Sequence, residues 1–178
     1  MLNEIYFFAK FINIKPNKYI MRIRKAKLED SKSMALLCQN TIKYVNSKDY
    51  NKSQITAWLT KNTTKHMRNN FPLVNKSIFV MLDNNRVIGL VSAKLDKQEI
   101  SGLYVNQKHI GMKIGTKLLH KIETHFLSIG ITNIKLYSTL TAFNFYKSQG
   151  YKKIKNVIKI IEGVPITTVL MTKNLAKK

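Results

Sequence analysis

Apolar residues change period along this chain, and the changes mark out its elements. Residues 21–27 alternate and read as a first strand. Leu28, Glu29, Asp30 and Ser31 supply cap candidates for a helix reaching residue 45. Met34, Leu37, Cys38, Ile42 and Val45 form one stripe on that helix. Residues 51–61 predict a second helix carrying Ile55, Trp58 and Leu59, and residues 62–75, with Pro72, read as a loop. A meander follows: a strand over 77–83, a turn through Asp83, Asn84 and Asn85, a strand over 86–95, and a third over 99–105. Residues 112–129 predict an amphipathic helix with Ile114, Leu118, Ile122, Phe126 and Ile129 inward and Gly130 as its stop. Residues 131–138 read as a strand, a short helix around Tyr146 follows, and 151–175 form a hairpin turning at Glu162 and Gly163. This order predicts a single α/β domain with a mixed, mostly antiparallel sheet flanked by helices.

Composition narrows the class. At 178 residues with 44% hydrophobic content, the chain is long enough to bury a sizeable core. Cys38 is the single cysteine, so no disulfide forms within the chain and no cysteine-based metal site is expected. That usage fits a reducing, cytoplasmic compartment. Cys38 lies on an apolar helix face and reads as a small buried hydrophobe. The four histidines are not spaced as metal ligands, so no metal is expected. No apolar run is long enough to span a membrane. Residues 1–20 are apolar but broken by Lys10, and they read as an extension, with Met21 a candidate native start of a domain over 21–178.

The net charge is +22, from 31 basic and 9 acidic residues. The charge is dispersed along the chain. Such a field attracts polyanions, nucleic acid among them, although Lys-, Asn- and Ile-rich coding also accounts for it.

Residues 99–119 carry the strongest chemical signal. A strand runs into a turn with Gly111 and Gly115 among Lys108, His109 and Lys113, and the turn opens a helix. The first N–H groups of a helix have no internal partner, and the helix dipole favours an anion there. The spacing fits neither a GxxxxGK[ST] loop nor a GxGxxG dinucleotide fingerprint.

The segment resembles the acetyl-CoA motif of the GCN5-related N-acetyltransferase (GNAT) superfamily. Tyr104 and Val105 end the strand, and Gly115 falls on the motif's final glycine. Ile110 stands where Gln or Arg is usual, and Lys113 where the first glycine is usual. A second segment, 138–151, resembles the family's A-x-x-x-Y-x-x-x-G-[FY] motif through Ala142, Tyr146, Gly150 and Tyr151. The resemblance spans roughly residues 21–174. It implies a GNAT-like fold and an N-acetyltransferase that moves an acetyl group from acetyl-CoA to a primary amine, by direct attack in a ternary complex. Acetyl-CoA and an amine acceptor are then the partners, with the acceptor a small molecule, a protein amine or an aminoacyl group.

Roles follow from that resemblance. Leu103, Tyr104 and Val105 are expected along the pantetheine arm. The N–H groups of Ile110, Gly111, Met112, Lys113, Ile114, Gly115 and Thr116 are expected at the pyrophosphate. Asn144 is a further candidate on the CoA arm, and Trp58 a candidate wall of the acceptor site. Tyr146 is the candidate acid for the leaving thiolate, because a phenol stays protonated at neutral pH. Glu99 is the candidate base, and strand alternation is expected to put Glu99, Ser101 and Leu103 on one side. A monomer or homodimer suits the family. The competing class is a basic, non-enzymatic, nucleic-acid-associated protein on the same scaffold. Removing residues 1–20 is expected to leave folding and acetyl-CoA affinity unchanged, as read by circular dichroism and calorimetric titration. Loss of soluble folded protein would instead show that the segment docks on the domain.

Overall fold

A computed structural model describes residues 21–71 and 74–176. The expectation for residues 1–20 lies outside that range. The described elements are β1 (Arg22–Lys25), α1 (Ser31–Tyr44), α2 (Lys52–Thr60), α3 (Thr64–Arg68), β2 (Lys76–Asp83), β3 (Arg86–Lys94), β4 (Glu99–Val105), α4 (Ile114–Ser128), β5 (Asn133–Ser138), α5 (Phe143–Ser148), β6 (Lys152–Ile161) and β7 (Val164–Asn174). The strands form one sheet in the order β1-β2-β3-β4-β5-β7-β6. Only β4 and β5 run parallel; the other neighbours are antiparallel, so the sheet is mixed as the sequence predicts.

Each sheet face buries its own helices. On one face Ile114, Leu118, Ile122 and Phe126 of α4 pack on Val91, Ile100 and Leu136. Fully burying one such side chain contributes about 1.5–3 kcal/mol relative to exposure. On the other face Met34, Leu37 and Cys38 of α1 meet Val80 and Leu90. Ile42, Tyr50, Ile55 and Ile166 continue that layer toward β7. Burial pushes the Cys38 thiol far above its usual range, as expected of a core hydrophobe.

Three local expectations need correction. Ile129 is exposed rather than inward, because α4 stops at Ser128. Gly130 then turns the chain at φ +79°, and Ile131 packs against the core instead. Residues 62–75 are not all loop. Thr63 caps a short helix through His66 N–H at 3.1 Å, and the buried Met67 anchors it. One apolar residue per helix leaves too little periodicity to read. Asp30 stands at the N-cap of α1, yet its carboxylate is spent elsewhere. It accepts both Arg24 guanidinium nitrogens, at 2.7 and 2.9 Å, and the Lys27 N–H. The bond from Arg24 holds the Asp30 carboxyl below the usual range.

Gly89 sets how closely α4 approaches β3. A Cβ there would lie 2.7 Å from Leu118 Cδ1 and 3.0 Å from Ile114 Cγ2, both on buried side chains. Gly89→Ala is expected to destabilise the domain by about 1–3 kcal/mol through overpacking. Urea denaturation measures it, and an unchanged midpoint would mean that the helix shifts without cost.

Candidate active site

The site begins as a fault in the sheet. β4 and β5 pair at just two positions, Glu99 with Lys135 and Ile100 with Leu136. Beyond them the strands part. The β5 side of β4 from Ser101 to Val105 therefore has no ladder partner, and Val105 O there accepts from the Thr41 hydroxyl instead. A cavity of about 390 Å³ fills the gap. Ile100 and Leu136 lie at its base. Leu103, Tyr104 and Val105 form one wall, and Thr139, Ala142, Phe145 and Tyr146 the other. Thr41, Val45, Asn46 and Trp58 reach it from the α1–α2 layer, so the cavity meets both helix layers.

A bulge prepares the fault. Between β3 and β4 the register slips, so Ser92 faces Gly102 while Ala93 faces Ile100. Ser101 is the extra residue, and the alternation of β4 changes phase across it. Leu103 packs with Ile100 on the α4 face, whereas Glu99 falls on the opposite face with Tyr104. Simple alternation put Glu99 and Leu103 together; the bulge separates them. Glu99 lies outside the cavity lining, 4.0 Å from Lys94.

The turn after β4 forms one end of the cavity. Asn106 Oδ1 caps it by accepting the Lys108 N–H at 2.9 Å. Gly111 adopts φ +86°, and Lys113 adopts the left-handed conformation at φ +58° immediately before α4. That geometry suits glycine, the residue the motif usually has here, and Lys113 holds it at an energetic cost. The Lys117 N–H is the first to bond back within the helix, to Lys113 O at 3.0 Å. The N–H groups of Ile114, Gly115 and Thr116 are left facing the cavity end, as an anion requires. Two expected donors are taken: Ile110 N–H bonds Gln107 O, and Met112 N–H bonds His109 O. Met112 is also outside the lining, while Ile110, Gly111 and Lys113 are in it. Gly115 lets α5 close on this end, since a Cβ would stand 3.3 Å from Phe145 Cζ.

Tyr146 is 6% exposed and lines the cavity from α5. Its ring meets Phe145 and Tyr151 edge-on, with centroids 5.2 and 5.6 Å apart. Tyr151 is fixed in turn: its hydroxyl donates to Glu123 Oε1 at 2.8 Å, and Lys173 Nζ bonds the same carboxylate at 2.9 Å. Burial pushes the Tyr146 phenol well above its usual range, so it is uncharged at physiological pH. Asn144, two residues before Tyr146, is exposed and outside the lining.

Several lining residues carried no readable signal. Thr41 reaches across to β4, donating to Val105 O at 3.1 Å. Thr141 Oγ1 and His109 Nδ1, both in residues of the lining, are buried with no hydrogen-bond partner among the described residues. Tyr50, just outside the cavity, donates its hydroxyl proton to Thr167 O at 2.7 Å and accepts the Leu140 N–H at 2.9 Å. It ties β7 to the loop after β5. Trp58 does line the cavity, packed edge-on against Tyr50.

Comparison with known proteins agrees with this geometry. A family model described as an acetyltransferase (GNAT) domain matches residues 46–175. The chain is 25% identical to a spermidine N(1)-acetyltransferase of Thermoplasma acidophilum, over 74% of this chain and 88% of that protein. Among solved structures, a GCN5-related N-acetyltransferase from Rhodopseudomonas palustris superposes with a TM-score of 0.81 at 21% identity, covering 86% of this chain and 95% of the other. The PaiA N-acetyltransferase of T. acidophilum, solved with coenzyme A, superposes at 0.72 and 21% identity, covering 86% and 98%. With the strand gap, the helix that starts beside it and a matching family model over 46–175, the chain belongs to the GNAT acetyltransferase family.

Proposed function

We propose that this protein is an acetyl-CoA-dependent N-acetyltransferase acting on a primary amine. The observation that carries the reading is the cavity between β4 and β5, with the α4 N-terminus at one end and Tyr146 on its wall. The PaiA relative solved with coenzyme A supports it.

The residues fit such a co-substrate. The N–H groups of Ile114, Gly115 and Thr116 suit a pyrophosphate, and the Lys113 ammonium adds a charge. The unpaired side of β4 offers Leu103 and Val105 main-chain groups to the amide-bearing pantetheine arm. Acetyl-CoA supplies an activated acyl carbon, and the chain's work is to hold it, exclude water and manage protons. The Tyr146 hydroxyl donates a proton toward the leaving sulfur. An amine entering from the α1–α2 layer, past Trp58, meets the acyl group from the other face of the sheet. It must lose its own proton to attack. Glu99 is on that face, so it assists only at a distance, through water.

Two substitutions separate binding from chemistry. Lys113→Gly relaxes a left-handed non-glycine residue and is expected to stabilise the fold by about 1 kcal/mol. Losing the ammonium is expected to raise the acetyl-CoA dissociation constant a few-fold in the same protein. Thermal unfolding and calorimetric titration read the two, and a fall in both would show that the side chain serves neither end. Tyr146→Phe removes a proton donor and almost no volume. Acetyl-CoA is expected to bind as before while turnover of a primary amine drops by about 10²-fold. A thiol-release assay measures this, and an unchanged rate would remove the tyrosine's role. Absence of acetyl-CoA binding by the unaltered protein would overturn the whole reading.

A further inference from the structure

The acceptor side of the cavity has an unusual charge pattern. Residues paired across neighbouring strands share a sheet face. Lys94 pairs with Glu99, and Glu99 with Lys135. Lys135 and Tyr137 alternate on β5 and share that face. On β6, Lys159 pairs with Ile166, which packs with Ile42, Tyr50 and Ile55 of the α1–α2 layer. Lys159 Nζ sits 3.4 Å above the Tyr137 ring, and Tyr137 lines the cavity. Lys94, Lys135 and Lys159 are thus among the lysines on this face, and Glu99 is the carboxylate set between Lys94 and Lys135.

The counter-charge is thin. Glu99 is the carboxylate that Lys159 feels, and it also faces Lys94 at 4.0 Å. Among the described residues, no Asp or Glu lines the cavity itself. Lys159, Lys94 and Glu99 all lie outside the lining, and a polyamine's second ammonium reaching past Tyr137 would meet Lys159 with Glu99 already shared between Lys159 and Lys94. Like charges brought together in a partly desolvated site cost affinity. An acceptor with an anion at its far end gains where a polyamine loses.

We propose that the acceptor is an anionic primary amine, bearing a carboxylate or phosphate at its far end, and that Lys159 receives that end beside Tyr137. This rests on the acetyl-transfer reading above, and it narrows the substrate to a class opposite in charge to the polyamine named for the T. acidophilum relative. Burial pushes the Lys159 ammonium pKa down, Glu99 opposes this and Lys94 adds to it, so the lysine is a partly desolvated cation that an anion would stabilise. The Lys159 ammonium itself lies over the Tyr137 ring, which fixes where the charge is presented.

The test is a thiol-release assay with four amines at fixed acetyl-CoA: 4-aminobutyrate, phosphoethanolamine, n-butylamine and spermidine. The first two distinguish a carboxylate from a phosphate. At least one of them is expected to exceed n-butylamine and spermidine in kcat/KM by about tenfold, the scale of one charge contact. Lys159→Met is expected to abolish that advantage through KM, with kcat little changed, and Lys159→Arg to retain most of it. Acetyl-CoA titration of each variant runs in parallel as the check on folding. A preference for spermidine, or an anion advantage that survives Lys159→Met, overturns the proposal. Acetyl-CoA binding without turnover of either anionic amine also overturns it and leaves the transfer reading standing. No acetyl-CoA binding at all overturns both.

Discussion

The two-residue pairing of β4 with β5 is the constraint on which the rest depends. A parallel pair that continued to Val105 would close the sheet and leave no cavity. The Ser101 bulge re-aims β4 just as the pairing ends, and it puts Leu103 and Val105 against the α4 layer. Everything chemical hangs from that opening. α4 can start at its edge because Val105 ends there, and α5 supplies the far wall because β5 has turned away.

Two polar networks keep the opening in shape. Glu123 lies in the α4 layer and holds Tyr151 and Lys173 together, and Tyr151 in turn supports the ring of Tyr146. A carboxylate buried this deeply requires both partners, so its removal would disturb the tyrosine at second hand. On the opposite face, Lys61 pairs with Glu162 and Gln54 bonds Pro165 O, which fastens α2 to the β6–β7 hairpin. The walls of the site are thus built from surfaces that also stabilise the fold.

How much of this was legible follows from what each signal depends on. The strand, turn and helix around Gly111 and Gly115, and the helix with Ala142, Tyr146 and Gly150, are local patterns, so their sequence is enough to place them. The alternating strands of the meander and the stripe on α4 are equally local. The phase of Glu99 is not, because it turns on a bulge that only the pairing with β3 creates. Ile129 looked inward because a helical period was extended one residue past a stop that Gly130 makes early. Thr41, Asn46 and Tyr50 join the site across sheet and loop, far in sequence from either motif, and nothing near them announces it. Lys159, proposed above for the far end of the acceptor, is equally unannounced: its strand carries Lys152, Lys153 and Lys155 as well, and the neighbouring Tyr137 ring is what sets it apart from them.

Tyr50 has a mechanical consequence. One hydroxyl joins Thr167 on β7 and Leu140 after β5, so those two segments move as one body unless both bonds break together. β4 has no such tie to β5 above Ile100. β4 is held on its other edge instead, paired with β3 from Glu99 to Val105, and the Thr41 hydroxyl of α1 is shared between Leu37 O at 2.9 Å and Val105 O at 3.1 Å. The two sides of the cavity are thus secured by different means, the β5 side by one tyrosine hydroxyl that bridges two segments and the β4 side by its ladder with β3.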